Sequence, residues 1–530
     1  MSLFSLQFVV LLGITLLVYY IVPKKYQWIA LLAASMIFYA FSGVVNLLFI
    51  GITSLSTWIA GRMMFRFTLE FKEAKKKEGI SKEQKKELKT VLTRKKKRTL
   101  LLVLLINFGI LAYLKYWQVL YDGIWQMLHP DRGAVSLGLL LPLGISFYTF
   151  QSMGYLIDQY RDSGEGEKNF FKFLLFVSFF PQLIQGPINR FGQMKPQFDA
   201  EHSFCWEKVK HALFLMLFGL LKKYAIADLL SGAVAAILDA PGSEMPGSVI
   251  VAGILMYSAQ QYADFSGGID LVLGIAELFG IEMMPNFRQP YFAVSLADFW
   301  RRWHISLGAW MRDYVFYPFA LTKAMQRLGK WGIKNLGKHV GRVIPACIGN
   351  VLVFFIVGIW HGAESHYILW GLYNGIMIAL AELFDPLFIK MKQVCHVREE
   401  GKGFHVFRII RTFMIVNIGW YFDRIVRFGD CMTAFRNTIL HLDPGRFAGS
   451  MSELMADTLT TKTLMIVLAA IAIVLVHSIM SEKQIDMFAW LNRHNIVIRW
   501  GVYYLMMILI QVAMWCTFRS IFICSILKDW

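Results

Sequence analysis

Two histidines stand where few other side chains could do chemistry. His304 lies in "DFWRRWHISLGAWMRD", residues 298–313, with three Arg, two Asp and three Trp, inside a chain of which 56% of residues are hydrophobic and only 17% charged. His361 closes an apolar run that begins near Val351, in "FFIVGIWHGAESHYILWGLYNG", and is followed by Gly362. A neutral imidazole, with an unperturbed pKa of about 6.5, can take a proton from an attacking hydroxyl or thiol near neutral pH. Ionisable groups inside apolar segments cost about 2.5–3.5 kcal/mol each on insertion, so these two stretches are the first places to look for a site. Read as one helix at about 100° per residue, Ala297, Trp300, Arg301, His304, Gly308 and Met311 share a face, and the small residues at 297 and 308 leave room for a ligand beside the imidazole. Asp298 and Arg302, four apart, can pair on a neighbouring face. Trp300, Trp303, Leu307 and Trp310 follow a spacing that packing or an interfacial aromatic belt also explains. Glu364, three residues after His361, could orient its ring; His366, five residues on, falls off that face. The spacing is not HExxH and no third ligand stands nearby, so a metal is not expected.

The sequence carries no Walker A, no GxSxG elbow and no cysteine placed beside a base, which removes support for ATP-driven transport and for serine- or cysteine-type covalent catalysis. Its six cysteines are scattered without metal-ligand or disulfide-framework spacing.

The elements that must position the histidines are membrane helices. An ordinary soluble domain is roughly a quarter charged, and a bilayer span needs about 20 mostly apolar residues; roughly 11 to 14 such runs recur along the 530 residues. The first run has no basic n-region and no small-x-small cleavage pattern before Pro23, so it reads as a retained helix. The net charge of +18 is concentrated in Lys72–Arg98, where 13 Lys/Arg face 4 Glu. Beside membrane helices this reads as a cytoplasmic loop on an anionic leaflet, not as a nucleic-acid surface. Three apolar runs precede it, near 4–22, 27–42 and 44–63, which places the N-terminus outside and Lys24 and Lys25 inside. From about residue 140 to 375, "LPLGIS", "FFPQLIQGPINRFGQMKPQF" and "MPNFRQPYFAVS" interrupt the helical pattern with Pro and Gly. Such breaks survive at membrane depth where the backbone is buried in protein or faces a water-filled cavity, so broken or re-entrant helices around an internal chamber are expected. The simplest division is one membrane domain, 1–530: N-terminal helices over 1–135 with the basic loop 72–98, a core over 136–385, and C-terminal helices over 386–530. Residues alone leave an enzyme and a transporter both open.

The stretches "FFPQLIQGPINRF", "YADFSGGIDLVLGIAELFGIEMMPNFRQPY", "DFWRRWHISLGAWMRDYVFYPF" and "GIWHGAESHYILWG" resemble the membrane-bound O-acyltransferase (MBOAT) family, in the family's order and separations, and specifically its bacterial branch of alginate type that O-acetylates polysaccharides. The resemblance implies an all-α integral membrane fold, a polytopic helical bundle with re-entrant or broken helices around a central tunnel. It implies His361 as the catalytic histidine and His304 as the second, accessory one; Trp300, Arg301, Trp303, Asn286 and Asp264, within the matched stretches, are read as substrate-binding. It further implies acetyl-CoA or another acyl thioester as donor substrate with no permanently bound cofactor, an extracytoplasmic acetyltransferase of SGNH type as partner, an exopolysaccharide as final acceptor, no nucleic acid, and a multi-pass place in the bacterial cytoplasmic membrane. D-alanyl transfer to teichoic acid is the rival within the family, and a polyprenyl-lipid or lipid transporter the rival outside it. Three departures stand out: "YADFSGGID" differs from the family's usual wording, Glu364 stands where an uncharged residue is common, and the segment after Phe319 is longer and more basic.

Overall fold

Backbone N–H and C=O groups in a lipid core must pair within the chain, and in this sequence they do so in helices. The computed structural model describes residues 3, 5–76, 81–129, 138, 141–161, 166–239, 241–242, 244–455 and 458–528. Among them, helices carry the fold, and the one β-type contact is an isolated antiparallel bridge between Phe287 and Trp303. The chain forms two compact units, one of Met1–Ala212 with Ile275–Met284, the other of Leu213–Gly274 with Pro285–Trp530.

In the first unit, α1 (Leu6–Ile21), α2 (Gln27–Ala40) and α3 (Asn46–Lys76) cover the three apolar runs expected near 4–22, 27–42 and 44–63, and α4 (Lys82–Leu128) follows. Ser5 caps α1 by accepting from the Phe8 N–H at 3.3 Å, and Phe8 meets Phe38 of α2 edge to face at 5.7 Å. The basic block does not form a loop throughout. Helix α3 continues to Lys76 and α4 begins at Lys82 behind a capping box, in which Ser81 and Gln84 exchange hydrogen bonds of 3.1 and 3.0 Å. Lysines are good helix formers, so a charged run beyond the bilayer prolongs the helices it flanks; its centre, 77–80, lies outside the described residues.

Among the described residues, five helices are long and apolar enough to cross a bilayer: Asn46–Lys76, Lys82–Trp125, Lys338–His361, Thr461–Glu482 and Ile496–Thr517. A sixth is added if Ser365–Leu383 and Asp385–Val394, bent by 58°, count as one span. The number falls short of the 11 to 14 apolar runs because several runs fold as shorter helices, such as Leu6–Ile21 and Phe170–Ser178, or carry charge along their length, as Lys402–Arg424 does.

The second unit holds both histidines. Its elements around them are α5 (Gly247–Leu278, of which the part up to Gly274 belongs to this unit), α6 (Leu296–Arg302), α7 (Ile305–Met311), α8 (Lys323–Asn335), α9 (Lys338–His361), α10 (Ser365–Leu383), α11 (Asp385–Val394) and α12 (Lys402–Arg424). Its apolar core gathers Phe214, Phe218, Leu221, Ile226, Val467 and Leu491. Helices α9 and α10 pack through glycines, the usual device where lipid gives no hydrophobic drive between helices. A Cβ on Gly371 would lie 2.3 Å from the Phe354 carbonyl oxygen, one on Gly358 2.5 Å from the Tyr367 carbonyl oxygen, and one on Gly375 2.8 Å from the Val351 Cα. This backbone-to-backbone fit fixes the end of α9, where His361 stands. Gly371→Ala is expected to destabilise the unit by about 2–3 kcal/mol, since the clash is with backbone that cannot rotate away. Thermal unfolding in detergent measures this, with Gly403→Ala as control because a Cβ there meets nothing within 4 Å.

Candidate active site

The opening stretch is not one helix. Helix α6 starts behind Ser295, which accepts from the Asp298 N–H at 3.1 Å, and ends at Trp303. His304 then takes a left-handed conformation (φ 50°, ψ 51°), and α7 begins at Ile305. A positive φ is uncommon outside glycine and needs support from its surroundings. Here a neighbouring segment supplies it: Arg288 N–H donates to the Arg302 carbonyl at 2.9 Å and Ile305 N–H donates to the Asn286 carbonyl at 3.0 Å, on either side of the Phe287–Trp303 bridge. Asp298 and Arg302 pair as expected, at 3.1 Å, and Arg302 also reaches Glu482 at 2.5 Å.

Asn286, 1% exposed, fixes the imidazole. Its Oδ1 accepts from the Ser306 N–H at 3.0 Å, from the Ser306 hydroxyl at 2.9 Å, and meets His304 Nδ1 at 3.2 Å. A backbone N–H can only donate, so the asparagine atom is oxygen and Nδ1 carries the proton. The neutral ring therefore has Nε2 as its acceptor nitrogen. Phe265 holds the ring edge to face at 4.8 Å.

His361 is the last residue of α9, exposed, with its ring 4.9 Å from Trp360, 5.1 Å from Trp370 and stacked at 5.8 Å on Tyr367. Gly362 is needed after it, because a Cβ there would lie 2.4 Å from both Glu364 Oε2 and the Tyr367 ring. Glu364 is the N-cap residue of α10.

Both histidines line one cavity of about 400 Å³, walled mainly by aromatic and aliphatic side chains, a size and character usual for small-ligand sites. Although the helix breaks at His304, all six residues expected on a shared face, Ala297, Trp300, Arg301, His304, Gly308 and Met311, line this cavity. Trp300 is locked by donating its indole N–H to Asn374 Oδ1 of α10 at 3.0 Å, and its ring contacts Phe354 at 5.2 Å and Trp370 at 5.4 Å. Trp303 is buried against Phe287 at 5.0 Å, Phe299 at 5.5 Å and Trp420 at 5.7 Å. The Arg301 side chain, 71% exposed, lies at the rim with Arg312. Asn286 stands behind His304 and is not part of the lining; Asp264 is also outside it, paired with Lys223 at 2.7 Å. The lining extends beyond the expected limit of 375 to Ile378, Glu382, Trp420 and Asp423. The motifs do not single out Gln261, Trp370, Asn374 or Asp423. Asp423 carries a signal that could have found it, a carboxylate near the end of the apolar stretch "IVNIGWYFDR".

Two imidazoles, one with its tautomer set by a buried amide, in a mostly apolar cavity with guanidinium groups at its rim form a place where a proton can be taken from a hydroxyl while an anionic ligand is held at the edge. The comparisons with known proteins agree with acyl-transfer chemistry. A model of the MBOAT, membrane-bound O-acyltransferase family matches residues 63–332, which include His304 and stop before His361. A "probable alginate O-acetylase" of Pseudomonas syringae pv. tomato is 32% identical over 83% of this chain and 73% of its own length. A peptidoglycan O-acetyltransferase of Helicobacter pylori is 31% identical over 62% of each chain, and a teichoic acid D-alanyltransferase of Bacillus subtilis is 29% identical over 56% of this chain and 72% of its own. With a family model matched across half its length and a relative matched across most of it, this chain belongs to the membrane-bound O-acyltransferase family and is a multi-pass membrane acyltransferase.

Proposed function

We propose that this protein takes an acetyl group from cytosolic acetyl-CoA and passes it across the cytoplasmic membrane for O-acetylation of an extracytoplasmic polysaccharide. The observation that carries the reading is the shared cavity of His304 and His361, in a chain whose matched relatives include proteins named for O-acetylation of alginate and of peptidoglycan. In this scheme the acceptor hydroxyl oxygen attacks the thioester carbonyl as its proton moves to His361. The C–S bond then breaks, and the proton passes from His361 to the departing thiolate. His304 offers Nε2 for positioning a ligand donor, and Arg301 meets donor phosphate at the rim. The basic ends of α3 and α4 stand on the cytoplasmic side and the N-terminus on the outer side, following the excess of Lys and Arg. An SGNH-type acetyltransferase outside the membrane takes the acetyl group from the acetylated acceptor, whose hydroxyl is restored, and delivers it to the exopolysaccharide.

The likeness to teichoic acid D-alanyltransferases favours a second donor class, a carrier-bound D-alanyl thioester. The purified protein in vesicles, offered [14C]acetyl-CoA and D-alanyl-pantetheine at equal concentration, is expected to consume acetyl-CoA at least tenfold faster. A preference for the D-alanyl thioester would replace the acetyl reading with the aminoacyl one.

A further inference from the structure

The cavity lining carries two carboxylates that the acyl-transfer scheme leaves unused, Glu382 and Asp423, and of these Asp423 is held in place by side-chain donors. Asp423, the penultimate residue of α12, lines the same cavity as His304 and His361. Its Oδ2 accepts from the Tyr257 hydroxyl at 2.6 Å and from Gln261 Nε2 at 3.2 Å, two side chains four residues apart, one turn of α5. Among the described residues, Asp423 forms no ion pair with Lys or Arg within 4 Å, and the adjoining Arg424 pairs with Asp239. The carboxylate is thus held by two neutral donors through one oxygen, with Oδ1 accepting no hydrogen bond from the described residues. A carboxylate accepts through both oxygens, at about four lone-pair sites, so Oδ1 in the cavity wall is open to accept from a ligand.

Arg301 and Arg312 are exposed at the rim, 71% and 57% by side chain, and suit the phosphates of a CoA-type donor. Asp423 would repel those phosphates, so its part of the wall suits the other substrate. We propose that Asp423, held by Tyr257 and Gln261, binds the acceptor: it takes a hydrogen bond from a hydroxyl next to the one that is acylated, and so selects acceptors with neighbouring hydroxyl groups. Tyr257 and Gln261 are positioning residues that act through the carboxylate. The inference rests on the acyl-transfer reading above and adds the acceptor class to it.

The test uses the purified full chain in phospholipid vesicles with [14C]acetyl-CoA as donor, glycerol as a probe with neighbouring hydroxyls and 1-propanol as a probe with one, the esters being quantified by mass spectrometry. Asp423→Asn is expected to raise the KM for glycerol at least tenfold, while the KM values for acetyl-CoA and 1-propanol change less than threefold. Tyr257→Phe is expected to raise the glycerol KM three- to fivefold. Gln261→Leu removes one donor without removing the charge and is expected to act in the same direction, which keeps the test available if Asp423→Asn does not fold. A glycerol KM within threefold of wild type, an equal rise for both alcohols, a fall in kcat with no change in glycerol KM, or a wild type that turns over acetyl-CoA without forming glycerol acetate would each overturn the proposal. If the wild type does not consume acetyl-CoA, the donor assignment fails, and the same comparison of glycerol KM with D-alanyl-pantetheine as donor decides on Asp423 separately.

Discussion

His361→Ala is expected to lower kcat for acyl transfer by about 10³-fold, within the range of about 10² to 10⁴ for loss of a positioned general base. The protein itself should remain folded. His361 is exposed at the end of α9, and the packing of that helix on α10 depends on Gly358, Gly371 and Gly375 instead. A melting temperature in detergent within a few degrees of wild type would therefore accompany the loss of activity. His361→Gln is expected to be as inactive as the alanine variant, because an amide can hydrogen-bond a hydroxyl but cannot hold its proton. Turnover within threefold of wild type in either variant would remove His361 from the chemistry.

The second large effect is expected at a residue outside the cavity. Asn286→Ala removes one oxygen that serves the Ser306 N–H, the Ser306 hydroxyl and His304 Nδ1. At about 1–3 kcal/mol for each buried group left without a partner, the loss should reach about 3–5 kcal/mol, since a small side chain leaves some room for water. The backbone bonds that hold the left-handed turn at His304, from Arg288 N–H to the Arg302 carbonyl and from Ile305 N–H to the Asn286 carbonyl, remain in this variant, so the loss falls on the contacts of the side-chain oxygen. Where the variant can be purified, kcat should fall about 10²-fold because the His304 tautomer is no longer set, and the melting temperature should drop by several degrees. Asn286→Asp keeps an acceptor oxygen and is expected to recover part of the stability. A variant with alanine at 286 that melts and turns over like wild type would show that the hydrogen bonds drawn to this amide do not hold the site.

The contrast between these two positions shows what a sequence of this kind reveals. His361, an imidazole after ten apolar residues, is a candidate from the residues alone, but it is the family resemblance that ranks it above the more conspicuous His304. The face of Ala297, Trp300, Arg301, His304, Gly308 and Met311 was legible too, since helical spacing grouped six residues that all line the cavity. The break within that face was not legible. It depends on backbone bonds to Asn286 and Arg288, and an asparagine in "MPNFRQPY" carries no local mark of serving a histidine 18 residues away. Asp423 was hidden for a related reason: its partners Tyr257 and Gln261 lie more than 160 residues earlier, on another helix. Composition gave the helical membrane class; among the described residues five helices, or six with the bent pair, meet the length and hydropathy rule for a span, and other apolar runs fold as shorter helices joined at turns. The basic block shows the opposite error. Its charge marked it as lying outside the lipid, but nothing in the charge forbids helix, and α3 and α4 run into it.

Whether a thioester gives up its acyl group in the cavity lined by His304 and His361 can be read from a structure of the protein bound to a thioether analogue of acetyl-CoA that cannot be cleaved. The analogue's terminal group is expected in the cavity beside Trp300, with His361 and His304 on either side of it and the nucleotide phosphates toward Arg301. An analogue bound with its terminal group away from both histidines, while still competing with the donor in the transfer assay, would contradict that expectation.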